Sequence, residues 1–208
     1  MDTLYKAIFG SSLTAVGTVI AAVGATPFRA LSTGFRLGLD VNGNALQAVG
    51  NGLEADTLED GSYGRIGGEI QSLGNSTVIA GLILPFNFET KEKFIITGNW
   101  LQALGGTTSI ESELSEPEPD ADDALAITGK TLQVIGNTLQ AINGINLLRE
   151  SRIQTALKYP ESAEEAADFY SLGVIGSWIQ AVGAIISLIS VIGLPDGSRF
   201  GNQIETQD

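Results

Sequence analysis

The stretch GKT at residues 129–131 has the residue types of a phosphate-binding P-loop. A P-loop needs another glycine five residues earlier, on a turn that leaves a β-strand. Position 124 is alanine, and GKTLQVI at 129–135 is followed at once by the near copy GNTLQAI. The pattern therefore indicates a structural repeat rather than a nucleotide site at Lys130.

Two acidic stretches could bind divalent cations. DVNGN at residues 40–44 begins like an EF-hand loop, but an EF-hand needs glycine and glutamate where this chain has Ala45 and Asn51. Residues 111–123 carry seven carboxylates and no basic residue. Such a run is typical of a solvated loop, and weak calcium binding is the alternative. We expect no cofactor and no dedicated metal site.

The composition excludes several classes of function. The chain has no histidine and no cysteine, which removes thiolate nucleophiles, imidazole bases and most zinc, copper and haem sites. Its net charge of −13, with 11 basic and 24 acidic residues, is the wrong sign for binding nucleic acid. We therefore expect a protein that is not an enzyme and does not bind nucleic acid.

One phrase recurs along the chain: glycine, two variable residues, leucine or isoleucine, glutamine, a small residue, an apolar residue and often glycine again. Five close copies are GNALQAVG from Gly43, GNWLQALG from Gly98, GKTLQVIG from Gly129, GNTLQAIN from Gly136 and GSWIQAVG from Gly176. Looser copies begin at Gly10 and Gly67. Repetition of this kind is the signature of an architecture built from similar units.

The spacing within the phrase predicts a helix with a glycine seam. Glycines seven residues apart share one helix face with the intervening leucine and glutamine. Each interior glycine costs about 1 kcal/mol relative to alanine, a cost that close approach of a second helix could offset. The glutamine beside the seam could then hydrogen-bond across the contact. The predicted seam residues are Gly43, Gly50, Gly67, Gly74, Gly98, Gly105, Gly129, Gly136, Gly176 and Gly183.

The expected fold is all-α, with about six helices in stacked antiparallel hairpins. The predicted helices span about residues 4–24, 32–55, 61–84, 90–114, 120–159 and 162–193. Trp100 and Trp178 occupy the same position of the repeat, which supports duplication. A β-solenoid with short rungs is the alternative. We expect a single repeat domain in which the acidic loop at 111–123 separates residues 1–110 from 124–208.

The Gly-Asn-x-Leu-Gln-Ala phrases between Gly43 and Gly183 resemble an uncharacterised family of repetitive proteins from spore-forming bacilli. The resemblance implies a similar acidic, repetitive chain. It transfers no catalytic or binding residue.

A structural protein that self-assembles into a fibre or layer is the first expectation for function. The terminal segments 7–25 and 171–194 are apolar and lack the polar faces of capping repeats, so they could join molecules head to tail. The predicted assembly surfaces contain Val16, Ile20, Trp178 and Ile185. No clear signal peptide is recognised, so we expect an assembly in the cytoplasm or associated with the mother cell or spore.

Insertion into a membrane as pore-forming helical hairpins is the alternative function. Residues 7–28 and 171–195 carry no charge and are long enough to cross about 30 Å of hydrocarbon. Against insertion, both runs are rich in Ser, Thr, Gln and Gly, and neither is flanked by a Lys/Arg cluster.

Overall fold

The computed structural model describes residues 3–115, 120–157 and 163–193, with the backbone alone for 157 and 163–170. It contains six α-helices and, within those residues, no strand. The helices are α1 Thr3–Ala25, α2 Thr33–Ala55, α3 Tyr63–Ile83, α4 Phe88–Leu114, α5 Ala121–Leu157 and α6 Ala163–Ile192. The all-α prediction is confirmed, and the β-solenoid alternative is wrong.

Local signals define where the helices begin and end. Ser32, Ser62 and Asn87 are N-caps whose side chains accept a hydrogen bond from the backbone N–H three residues later. Asp120 caps α5 by accepting from the N–H groups of Asp122 and Asp123, and the Asp123 carboxylate accepts from the N–H of Asp120 in return. Part of the acidic stretch therefore serves to start a helix.

The acidic stretch is shorter as a loop than expected. Residues 111–114 belong to α4 and residues 121–123 belong to α5, so only residues 115–120 connect the two helices. The helix bounds agree with the helices predicted over 90–114 and 120–159, whereas the whole acidic stretch 111–123 was described as a loop. Glutamate is a good helix former, and carboxylates at the start of a helix are favoured by its dipole.

The six helices close into a ring. Each helix contacts its neighbours in the sequence, α1 also contacts α6, and there is no other helix pairing among the described residues. The tightest pairs are the hairpins α1/α2, α3/α4 and α5/α6. The expected stack of hairpins is therefore closed, and the two terminal helices, predicted to be free for head-to-tail joining, pack against each other within one chain.

Because neighbouring helices are antiparallel, the ring has two distinct ends. The first end contains the N-termini of α1, α3 and α5 and the C-termini of α2, α4 and α6. The second end contains the opposite termini of the same helices.

Glycines line the contact within each hairpin. A Cβ built on Gly43 would lie 2.6 Å from the backbone oxygen of Gly17, and one on Gly136 would lie 2.5 Å from that of Gly176. All ten predicted seam glycines lie in such a position, within 2.7 Å of backbone in the facing helix. The hairpins therefore approach so closely that only glycine fits at these points.

The distribution of residues is the reverse of that in a water-soluble globule. The buried apolar side chains are alanines and one valine, and the largest fully buried side chains are Asn75, Asn137, Thr18 and Ser11. Every helix instead exposes several large apolar side chains, such as leucine, isoleucine, valine or an aromatic residue. Soluble proteins usually bury these large apolar types and expose most of their polar ones.

Candidate functional site

A glutamine cluster crosses the interior of the ring near its middle. The Nε2 of Gln180 in α6 donates to Oε1 of Gln47 in α2 at 2.9 Å and to Oε1 of Gln102 in α4 at 3.2 Å. Gln140 in α5 donates to Oε1 of Gln180 at 2.8 Å. Gln47, Gln102 and Gln180 occupy the same position of the repeat, one in each hairpin, so the threefold repetition of the sequence brings them to one point.

A small polar cavity of about 60 Å³ lies on the first-end side of this cluster. All six helices contribute to its wall, one example from each being Thr14, Glu54, Gln71, Ser109, Gln133 and Ser187. Gln133 donates to the hydroxyl of Ser187 at 3.0 Å, and Thr14 donates to Glu54 at 3.2 Å. A cavity of this size and polarity can hold a few water molecules.

A wider vestibule of about 220 Å³ continues toward the first end. It shares Glu54, Leu58, Lys130 and Ser187 with the central cavity, so the two are contiguous. Its titratable groups are four acids and one base: Glu54, Glu113, Asp122, Asp123 and Lys130. Burial raises the pKa of the Glu54 carboxyl to about 7. Lys130 forms an ion pair with Glu113. The lysine of the GKT stretch therefore neutralises a carboxylate inside the vestibule.

A third cavity, of about 180 Å³, lies on the other side of the glutamine cluster, toward the second end. Its wall includes Glu92, Asn99, Gln140 and Asn143 from α4 and α5, together with residues of α1 and α6. Because α1 and α4 do not contact each other, a cavity that touches both lies inside the ring. Gln140 links this cavity to the glutamine cluster.

Within the described part of the chain, three buried asparagine oxygens have no protein partner: the Oδ1 atoms of Asn75, Asn137 and Asn143. The Nδ2 of Asn75 donates to the backbone oxygen of Gln71 at 3.0 Å, which leaves its Oδ1 unpaired. Such acceptors are costly in a dry interior and are normally satisfied by water or an ion. The interior of the ring is therefore a polar environment that favours hydration.

The outer surface of the ring is apolar around its middle and charged at both ends. Charge-free stretches cover residues 7–25 of α1, 41–53 of α2, 70–83 of α3, 94–110 of α4, 131–148 of α5 and 171–192 of α6. We call the surface that they form the belt. At 1.5 Å per residue, residues 94–110 and 131–148 each rise about 25 Å, close to the thickness of bilayer hydrocarbon. The shorter stretch of α2 ends at Asp40 and Glu54, neither of which is an exposed residue.

Exposed aliphatic side chains occur along the whole belt, and those near its middle are Val16, Val49, Leu73, Leu104, Ile135 and Val182. Exposed tyrosines and phenylalanines lie nearer the ends: Tyr5, Phe9 and Tyr63 toward the first end, and Phe28, Phe35, Phe86 and Phe88 toward the second. The exposed Trp100 and Trp178 lie closer to the middle, within a few residues of the glutamine cluster. The indole N–H of Trp178 donates to Thr26 at 3.0 Å, which joins α6 to the end of α1.

Ion pairs connect helices beyond the belt. At the first end, Lys6 pairs with Asp56 across α1 and the α2–α3 turn. At the second end, Glu89 of α4 pairs with Lys93 and with Arg152 of α5. Hydrogen bonds from Lys93 and Arg152 lower the pKa of the exposed Glu89 carboxyl. Charged side chains are thus paired with each other outside the belt.

The predicted functional residues lie in two separate places. The seam glycines hold the hairpins together, while Val16, Trp178 and Ile185 are exposed and Ile20 is half-exposed on the outside. The described residues contain no group of three or more acidic side chains placed to hold a metal ion. The sequence predicted that a glutamine bonds across its seam, as Gln140 does to Gln180. It missed the convergence of Gln47, Gln102 and Gln180, although their equal positions in GNALQAVG, GNWLQALG and GSWIQAVG were a usable signal.

Comparison with known proteins identifies a family. Neither a curated protein nor a solved structure matches the chain. One family model matches residues 5–188, and it is described as a family of unknown function, DUF6944. Since the match covers most of the chain, the protein belongs to this uncharacterised family.

Proposed function

We propose that the chain is a non-catalytic membrane protein, embedded as a closed ring of six helices with its polar interior shielded from lipid. The observation that supports this proposal most strongly is the belt. Apolar side chains face outward on all six helices, while the exposed charges lie toward the two ends. In water this surface would leave large apolar side chains exposed on all six helices, whereas soluble monomers rarely expose large contiguous apolar patches.

Helix packing supports the same proposal. Within lipid there is no hydrophobic force between helices, so close approach of small residues drives their association. The three hairpins use glycine in this way, and their polar interior groups bond to one another across the ring. The exposed tyrosines Tyr5 and Tyr63 toward the first end are also typical of a membrane interface.

Hydropathy averaged over all residues of a helix gives a weaker signal for membrane insertion. Only Thr3–Ala25 and Ser171–Ile192 are long and apolar enough to qualify as candidate spans among the described residues. The other four helices carry asparagine, glutamine and serine on the face that points into the ring, which lowers their mean hydropathy. For a closed ring, the outer face alone meets lipid, and that face is apolar on all six helices.

The proposal includes an orientation. Of the nine lysines and arginines in the described residues, six lie at the second end: Arg29, Arg36, Lys91, Lys93, Arg149 and Arg152. The first end has Lys6, Arg65 and Lys130, together with most of the acids. Because basic residues near membrane spans favour the cytoplasmic side, the second end faces the cytoplasm in this proposal.

Self-assembly of the chain in water is the second candidate. The same exposed apolar side chains, including Val16 and Ile185, favour it, because other copies could cover them. A polymer joined through the terminal helices is less favoured than the sequence suggested, since α1 and α6 already contact each other within one chain. Two finer expectations, a family-wide Gly-Asn-x-Leu-Gln-Ala phrase and an origin in spore-forming bacilli, also remain proposals.

Liposome flotation tests the choice between these candidates. The full chain would be synthesised in a cell-free system with liposomes of phosphatidylethanolamine and phosphatidylglycerol, and then floated on a sucrose gradient. We expect it to float with the lipid and to stay there after alkaline carbonate extraction, because the belt removes the chain from water. Protein that sediments as large particles without lipid, or that carbonate releases, would contradict membrane insertion and favour self-assembly.

A further inference from the structure

We propose that the axis of the ring is a path for small monovalent cations, held closed in this structure by the hydrogen-bonded glutamines Gln47, Gln102 and Gln180. This inference rests on the proposed membrane insertion and adds a substrate class and a gate to it. Its basis is the arrangement of three interior cavities and one constriction along a single axis.

The first step is that the cavities leave only the glutamine cluster between the two ends. The vestibule and the central cavity share four lining residues and are contiguous. Asn51, Gly106 and Ala184 line the central cavity, and each lies four residues, about one helical turn, after Gln47, Gln102 or Gln180. On the other side, Asn99 and Gln140 line the second-end cavity, and Gln140 bonds to Gln180. The cluster therefore separates two polar cavities by about one layer of side chains.

The second step is that the walls can replace part of the hydration shell of an ion. Between the two mouths the lining offers hydroxyl and amide groups, among them Thr14, Gln133, Ser187 and Asn143. Asn143, whose buried Oδ1 has no hydrogen-bond partner, is one of the residues that line the second-end cavity. Oxygen atoms of this kind coordinate weakly held cations, and weak sites permit an ion to leave as well as to enter.

The third step is that the acidic groups that line the path, mostly in the vestibule, favour cations over anions; the six basic residues of the second end do not line its cavity. The vestibule has four acidic side chains against the single ammonium of Lys130, which is already paired with Glu113. The titratable residue that lines the second-end cavity is the acid Glu92. Acidic groups at the mouth of a narrow path raise the local concentration of cations.

The fourth step is that the closure can be removed by substitution. Gln180 takes part in three hydrogen bonds of the cluster, two as donor and one as acceptor. Shortening this side chain to alanine deletes those bonds and the amide that fills the centre. At the seam, Gly136 faces the backbone nitrogen and the Cβ of Gln180, both of which alanine keeps, so the ring itself should survive.

Potassium flux through liposomes tests the proposal. Liposomes containing wild type, Gln180→Ala, Gln102→Ala or the control Gln154→Ala would be loaded with KCl and monitored with a potassium-sensitive dye. Gln154 is a suitable control because its hydrogen bond runs to Glu150 in its own helix. We expect Gln180→Ala to release potassium at least tenfold faster than wild type, Gln102→Ala to show a smaller increase, and Gln154→Ala to match wild type.

Selectivity gives the second readout. In a KCl gradient across a planar bilayer, the Gln180→Ala current should reverse close to the potassium potential. Adding Glu54→Gln to that variant should shift the reversal potential toward zero at pH 8.5, because a carboxylate is lost from the path; burial raises the pKa of Glu54 to about 7, so the shift should be smaller at pH 6. Reversal near the chloride potential would overturn the assignment to cations.

Failure of this proposal can be distinguished from failure of the proposed function. If all variants float with liposomes and resist carbonate, yet neither Gln180→Ala nor Gln102→Ala releases potassium faster than Gln154→Ala, the axial path is wrong and membrane insertion stands. If wild type does not enter liposomes at all, both proposals are wrong.

Discussion

Leu104→Asp should remove most of the protein from the floating liposome fraction. Leu104 lies in the middle of the α4 stretch 94–110, with 55% of its surface exposed on the outside of the ring. An aspartate at the centre of a membrane helix is less favourable than leucine by about 3 kcal/mol on insertion scales, which is on the order of a hundredfold in partition. The measurement is the ratio of floated to sedimented protein after carbonate treatment.

Leu114→Asp is the matched control for this substitution. It changes the same residue type in the same helix at a site that is 63% exposed, but it lies beyond the belt next to Glu113. We expect it to float like wild type. If the two variants floated equally well or equally poorly, the position of a residue relative to the belt would not determine flotation. The belt would then not mark the surface that lies in lipid.

Gly43→Ala should destabilise the ring even though alanine is the better helix former. The new Cβ would lie 2.6 Å from the backbone nitrogen of Ala21 and 2.6 Å from the backbone oxygen of Gly17. Backbone atoms cannot rotate away, so α1 and α2 would have to separate. Overpacking of this kind typically costs about 1–3 kcal/mol or more, against a gain of about 1 kcal/mol in helix propensity. Thermal unfolding of the detergent-solubilised protein should show a Tm several degrees lower.

Gly38→Ala in the same helix should have the opposite effect. Nothing lies within 4 Å of a Cβ built at Gly38, so the substitution adds helix propensity without a clash. We expect a gain of about 0.5–1 kcal/mol, or roughly 2 °C in Tm for a chain of this size. If Gly43→Ala were as stabilising as Gly38→Ala, the seam would not hold the hairpin together.

Much of the fold could be predicted because its signals are local. Proline after α1 and α3 and the seven-residue spacing of Gly129 and Gly136 placed the helices within a few residues of their observed bounds. These signals depend on neighbouring residues along the chain, and the repeat presented them many times.

Closure of the ring and the inverted interior could not be predicted in the same way. Contact between α1 and α6 joins residues far apart in the sequence, as between Trp178 and Thr26. The repeat also has two possible interiors, since each helix carries a polar face with asparagine and glutamine and an apolar face with leucine or isoleucine. Soluble proteins bury the second face, and the expectation of water-soluble assembly followed that rule. Here the polar face is buried, because Gln47, Gln102 and Gln180 can satisfy one another only at the axis.

Tryptophan fluorescence of the unmodified chain tests the central claim, that the belt lies in lipid. The chain has two tryptophans, Trp100 and Trp178, and both are exposed on the outside of the ring at 43% and 38%. In liposomes made with lipids brominated in the upper acyl chain, we expect strong quenching of both, together with blue-shifted emission and little quenching by aqueous iodide. Quenching by iodide without quenching by brominated lipid would place these residues in water, and protection from both quenchers would place them between copies of the chain. Either result would contradict the account.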